Sequence, residues 1–393
     1  MNASDRPLKI AVVAGEESGD LLGADLVRAL AAMTGRPVHL MGVGGRHLQE
    51  LGMKSLFPPG DIALMGVSAV IRDLPRLVMR IGQTARFVAS QKPDCLITVD
   101  SPDFNLRVAR KVRDLAPEIP IAHYVCPSVW AWRPGRASAM RPHVDRVLCL
   151  LPFEPAELDR LGGPIGTYVG HRLTTEPGVA SAAAAQAAPR NLSPEREKTL
   201  LVLPGSRRGE VRGLIGVFRE TISILLQRGN RLRLLLPTVP HVASIVSEAT
   251  SDWPLKPRII LDSAEKWRAF GEADAALIAS GTVSLELALS GVPMLSCYRI
   301  DPLMRLGQSL ITVWSGSLPN LIADRAIVTE FYEQYIRPAN LARQLEGLMG
   351  DTSLRAWQKE GFAEVVRRMA TDRPAGEIAA NAVVETIASR VSA

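Results

Sequence analysis

The 393 residues are 47% hydrophobic, enough for two ordinary domains that each bury a core. No apolar run approaches the roughly 18 to 20 residues that cross a bilayer, and the opening MNASDRPLKIAVVAGEESGD has too short an apolar stretch for a signal peptide, so neither a spanning nor an exported chain is expected. A net charge of +6 suits a phosphate-bearing partner, while the lack of an RNP-like aromatic stretch, a zinc finger or a long Lys/Arg block argues against nucleic acid. Cys95, Cys126, Cys149 and Cys297 are scattered without CxxC spacing, which fits a reducing cytoplasm and predicts no zinc or redox centre.

In chain order, short apolar runs at 8–14, 37–43, 94–99, 120–125 and 145–151 alternate with segments of helical period, predicting a parallel α/β lobe over 1–173. The Ala-, Pro- and Ser-rich stretch 174–198 has no sustained apolar face and reads as a linker. Strand signals restart at 199–204, 231–237, 258–262, 273–280 and 292–298, giving a second lobe over 199–345, and 346–393 reads as C-terminal helices. The expected fold is two Rossmann-like doubly wound lobes with a cleft between them, the loops after the strands facing a ligand.

Several segments carry chemistry beside a plainer reading. In AGEESGDLLGADL the turn glycines allow a tight bend, and Ser18 or Asp20 either caps the following helix or meets the hydroxyls of a sugar acceptor. Gly44 and Gly45 in GVGGRHLQELGM permit close backbone approach to a ligand. Over 62–82, Val67, Val70, Leu74 and Leu77 belong to a helical apolar stripe broken by Arg72, Arg76 and Arg80; this is a core helix or one lying in an anionic membrane surface. Asp100 ends a predicted strand, where such folds present ligand-facing groups, and Asp103 opens the next helix as its cap, leaving Asp100 the freer candidate general base. His123 is the alternative base or a core histidine. Trp130 and Trp132 either stack on a sugar or anchor a buried loop.

In the second lobe, LPGSRRGEV puts Gly205 and Ser206 in a turn and Arg207 at a helix start, a seat for a diphosphate. ASGTVSLELAL supplies a small turn, Ser280, Gly281 and Thr282, and then Glu286 one turn into a helix, where a carboxylate can accept both ribose hydroxyls of a nucleotide. SLPNLIADRAIVTEF adds Asn320 and Glu330.

Together AGEESGD, GVGGRHLQELG, DSPDFN, HYVCPSVWAWRPGR, PFEP, YVGHRL, LPGSRRGEV, ASGTVSLELAL and LPNLIADR resemble the lipid-A-disaccharide synthase family, in that family's order and over almost the whole chain. The resemblance implies two Rossmann-like domains with UDP in the C-terminal one, no metal or other cofactor, and a homodimer that exchanges C-terminal segments. It implies Asp100 as base, Arg207, Glu286 and Asn320 at the nucleotide, and Ser18 with Asp20 near the acceptor. Glu17, Cys126, Arg172 and Thr329 depart from the family's usual residues, and at Glu17 and Arg172 this bears on acceptor preference more than on the reaction.

The implied reaction transfers 2,3-diacylglucosamine from UDP-2,3-diacylglucosamine to 2,3-diacylglucosamine 1-phosphate with inversion, on the cytoplasmic leaflet of the inner membrane, to which the protein would bind peripherally. Two rival readings share the frame. One is another two-lobed enzyme, a UDP-N-acetylglucosamine 2-epimerase or a murein-precursor transferase, which has no use for an apolar acceptor stripe at 62–82. The other is a non-catalytic nucleotide-sugar or lipid-binding protein, which would keep Arg207 and Glu286 but has no use for Asp100.

Overall fold

The computed structural model describes residues 6–62, 67–299 and 312–391, with the side chains of 67–74 and 391 outside that description. The chain divides into two units, Met1–His171 with Thr371–Ala393, and Arg172–Ala370.

The first unit is built on a six-stranded parallel sheet: β1 (Leu8–Ala14), β2 (Val38–Val43), β3 (Cys95–Val99), β4 (Ile121–Tyr124), β5 (Arg146–Cys149) and β6 (Ile165–Tyr168), in the order β2-β1-β3-β4-β5-β6. Its central strands are buried almost throughout because helices cover both faces. Along β1, Ala11 and Val13 enter one core cluster while Leu8, Ile10, Val12 and Ala14 enter the other, the two-residue alternation of a strand.

The second unit holds β7 (Lys198–Leu203), β8 (Leu232–Pro237), β9 (Arg258–Ile260), β10 (Ala275–Ala279), β11 (Met294–Tyr298) and β12 (Thr329–Tyr332), all parallel, in the order β12-β11-β10-β7-β8-β9. This is the Rossmann order, with the topology switching between β7 and β10; the first unit switches between β1 and β3. Ligands of open parallel sheets bind past the strand ends at such points, so four loops are singled out by topology alone.

One expectation is corrected. The stretch read as a linker contains the helix Pro177–Ala187, which packs on the helix Ser263–Glu272. Alanine has the best helix propensity, and small side chains allow close approach without an obvious apolar stripe. A Cβ on Gly178 would stand 2.0 Å from the Trp267 ring, and Gln186 Nε2 donates to the carbonyls of Phe270 and Ala273, both at 2.7 Å. The C-terminal helices also part company: Ser353–Met369 stays with the second unit, whereas Ala375–Val391 returns to the first and packs along Glu17–Thr34.

The amphipathic segment forms the helix Val67–Gln91. The side chains of Val67, Val70 and Leu74 lie outside the described residues. Leu77 is half-buried against the core that includes Ile81 and Ala85, while Val78 and Met79 are 52% and 55% exposed. Arg76 and Arg80 both pair with Asp61, at 2.5 and 2.8 Å. Among the described residues no helix is long and apolar enough to cross a membrane.

Candidate active site

At the first unit's switch point, β1 runs into Gly15 and Glu16, and β3 into Asp100 and Ser101. Asp100 and Ser101 both lie in the left-handed region, with φ of 52° and 43°, and Val125, just past β4, has φ of 75°. Non-glycine residues held there are strained, and such strain concentrates at functional sites. Asn105, fully buried, holds the turn: its Nδ2 donates to the carbonyls of Val99 (2.9 Å) and Asp100 (2.8 Å). Sequence reasoning missed Asn105, although DSPDFN contains it. The Glu16 carboxyl titrates above its ordinary value, first because of burial and second because of the neighbouring Asp100 charge.

The other candidates of this unit have definite partners. The helix after β1 starts from Glu16, not from Ser18 or Asp20, and has no side-chain cap. Ser18 is exposed. Asp20 is only 2% exposed, and its two oxygens accept from the N–H groups of Gly45 (2.6 Å) and His47 (2.7 Å). The close backbone approach at Gly45 is therefore to Asp20, whose Oδ2 would lie 2.9 Å from a Cβ there. The next helix starts from Ser101 rather than Asp103, which instead accepts from Arg136 at 2.6 Å.

His123 is fully buried, with Nδ1 2.8 Å from Thr98 Oγ1 and Nε2 without a partner. Burial, and then the Arg136 charge, lower its pKa to about 4. Trp130 is half-buried, donates from Nε1 to Glu154 at 3.2 Å and meets Phe153 edge-on. Trp132 carries the Arg133 guanidinium over its ring at 4.2 Å.

The fold also assembles a group that sequence spacing hid: Cys126, Cys149 and Glu154 bring one ligand atom each within 4.8 Å of one another, all buried. Glu154 is already committed there. Its Oε2 accepts from the N–H groups of Leu150 and Leu151, both 3.0 Å, and Oε1 accepts from Trp130.

At the second unit's switch point the two expected nucleotide segments stand side by side. β7 ends in Pro204 and the turn of Gly205 (φ 117°), Ser206 and Arg207, which leads into the helix Arg208–Gln227. β10 ends in Ser280, Gly281 (φ 148°) and Thr282, which lead into the helix Val283–Ser290. Arg207 is exposed and pairs with Glu210 at 2.8 Å. Glu286 is largely buried and pairs with Lys266 Nζ at 3.0 Å.

Ser280 Oγ donates to the carbonyl of Gly316 (3.0 Å), which ties the loop before Asn320 to this turn. That loop is organised by Glu330, which accepts from Gly316 N (3.0 Å), Tyr332 OH (2.7 Å), Asn320 Nδ2 (3.2 Å) and Ser315 Oγ. Asn320 is 1% exposed; its Oδ1 accepts from Ile327 N (2.9 Å) and Val328 N (2.7 Å). Its polar atoms are thus engaged inside the unit.

Two Rossmann-like units, one with a carboxylate at its switch point and the other with two glycine turns and an arginine at helix starts, are the frame of the GT-B glycosyltransferases. Solved structures of that frame are similar across nearly the whole chain. MurG of Acinetobacter baumannii has a TM-score of 0.54 at 13% identity, covering 99% of this chain and 100% of its own. The Neisseria meningitidis UDP-GlcNAc 2-epimerase bound to UDP-GlcNAc has 0.55 at 12%, covering 97% and 100%. At such identities the likeness is one of fold.

The pattern of the lipid-A-disaccharide synthetase family matches residues 10–375, and the chain belongs to that family. The lipid-A-disaccharide synthase of Rhodopseudomonas palustris strain HaA2 is 46% identical, covering 94% of each chain, and that of Nitrobacter hamburgensis is 44% identical, covering 98% of this chain and 97% of its own. The protein is a glycosyltransferase of lipid A biosynthesis, which joins two acylated glucosamines into the lipid A disaccharide.

Proposed function

We propose that the second unit holds UDP-2,3-diacylglucosamine and the first holds 2,3-diacylglucosamine 1-phosphate, with Asp100 as the general base. The observation that carries this is topological: Asp100 sits at one switch point, and Arg207 with the Ser280–Thr282 turn at the other. Asp100 takes the proton from the acceptor's 6-hydroxyl as that oxygen attacks the anomeric carbon opposite UDP, giving a β(1→6) bond with inversion. The departing diphosphate gains negative charge, which Arg207 and the helix starts after Gly205 and Gly281 offset electrostatically. Glu286, held by Lys266, accepts from the ribose hydroxyls, and Asn320 acts on the nucleotide through the loop it organises, not by touching it. Ser18 lies on the acceptor side, with Asp20 shaping the loop beside it; Trp130 fixes its segment through Glu154, and Trp132 is the better placed of the two rings for a sugar. His123 is too deeply buried to serve as base.

The protein works at the cytoplasmic face of the inner membrane as a homodimer. Exposed Val78 and Met79 beside Arg76 support an interfacial role for the helix Val67–Gln91. Purified protein given radiolabelled UDP-2,3-diacylglucosamine and the acceptor should release UDP and form the labelled disaccharide. UDP-sugar binding without product would favour a binding protein, and interconversion of a free UDP-sugar would favour an epimerase.

A further inference from the structure

The loop after β7 already holds an anion of its own. Glu210, in the first turn of the helix Arg208–Gln227, turns its carboxylate back on the loop. Its Oε2 accepts from the N–H groups of Ser206 (3.2 Å) and Arg207 (3.3 Å), and its Oε1 accepts from the Arg207 guanidinium (2.8 Å). Gly205 makes the room: a Cβ there would stand 2.6 Å from both Cβ and Oε2 of Glu210, and its φ of 117° is one that other residues rarely adopt. The opposite side of the loop is held independently, with His241 Nε2 2.8 Å from the Ser206 carbonyl oxygen.

That guanidinium, and the helix start to which those two N–H groups lead, are what is given above to the diphosphate, and the inference rests on that reading. A carboxylate and a diphosphate compete for the same donors and repel each other. We infer that Glu210 is an internal competitor for the diphosphate seat, which keeps the loop formed while the seat is empty, yields its donors when the UDP-sugar binds, and retakes them to help expel UDP after transfer. The exchange is possible in water because the Arg207 side chain is 74% exposed, so its pair with Glu210 is weak. The direction of the effect follows whether Glu210 swings aside or stays: removing its charge lowers the cost of bringing in a diphosphate.

The test is calorimetric titration of UDP into the full-length protein and its variants. Glu210→Gln keeps an acceptor oxygen for the loop but loses the charge, and should bind UDP roughly five-fold more tightly, with UDP inhibiting turnover at correspondingly lower concentration. Unchanged or weaker UDP binding in a variant that melts like wild type would make Glu210 a scaffold for Arg207 and overturn the inference. If Glu210→Gln melts early, Glu210→Asp, whose shorter arm loses its reach to the three donors, should also tighten UDP, and weakening there overturns the inference equally. Arg207→Ala separates the two levels: UDP affinity unaffected by that change would remove the diphosphate assignment itself, whereas weakened binding keeps it and leaves Glu210 to be judged on its own variants.

Discussion

Asp20→Asn separates a ligand-binding carboxylate from a structural one. Asp20 is buried and receives two short bonds, 2.6 Å from Gly45 N and 2.7 Å from His47 N, across the turn that starts the helix Arg46–Glu50. An asparagine can accept only one of them and turns its NH2 toward the other N–H, a donor against a donor where water is excluded. Losing one charge-assisted bond and stranding one donor costs about 3 kcal/mol. For a unit of this size that lowers the melting temperature by roughly 6 to 12 °C. Circular dichroism melts would measure this, with the acceptor KM determined well below both midpoints. A variant that melts like wild type but shows a raised acceptor KM would refute the structural role and return Asp20 to the acceptor.

Asp100→Asn should leave UDP binding and melting intact while kcat falls by about two to four orders of magnitude, measured in the radiolabel assay. Glu286→Ala should raise the donor KM with little change in kcat, since a ribose contact acts on ground and transition states alike; an unaltered KM would count against it. His123 supplies a pH test. Its folded pKa of about 4 is depressed below the unfolded value, so the unfolded chain takes up its proton first and stability drops as pH falls from about 6.5 toward 4. Glu154, pushed up to about 7 chiefly by burial, works the other way, since the folded chain keeps that proton and loses stability as pH rises from about 4.5 to 7. His123→Gln removes the first contribution, so its urea midpoint relative to wild type should improve between pH 7 and pH 5.5; a constant difference would mean that His123 does not titrate this way.

The strands were legible because each central one is covered on both faces, so burial makes it mostly a run of Val, Ile, Leu and Ala. The loops at the switch points followed from reading strand ends. What escaped depends on partners far along the chain. Asp20 looks like a ligand residue until Gly45 and His47 are found on its oxygens, and Asn320 until Glu330 and the N–H groups of Ile327 and Val328 are. Cys126, Cys149 and Glu154 meet because β4, β5 and the helix Glu154–Arg160 converge, which no spacing rule encodes. The helix Pro177–Ala187 escaped for a different reason: its packing face mixes Gly178, Val179, Ala182 and Gln186 in an alanine-rich segment, which carries little periodic contrast.

Asp100 shows how a local conflict is held in place by its neighbours. A β-strand leading directly into a helix has no need of left-handed residues, yet Asp100 and Ser101 both adopt them, at about 1 to 3 kcal/mol each. Pro102 disfavours a helical conformation at Ser101, and the Asn105 amide clamps the carbonyls of Val99 and Asp100, while Asp100 N–H donates to Tyr124 O at 2.9 Å. The backbone at Asp100 is thereby fixed by three neighbours before any ligand arrives, so little ordering remains for binding to accomplish. Glu16 completes the electrostatics. Its carboxyl, past the end of the neighbouring strand, is pushed toward its protonated form, first by burial and then by the charge on Asp100.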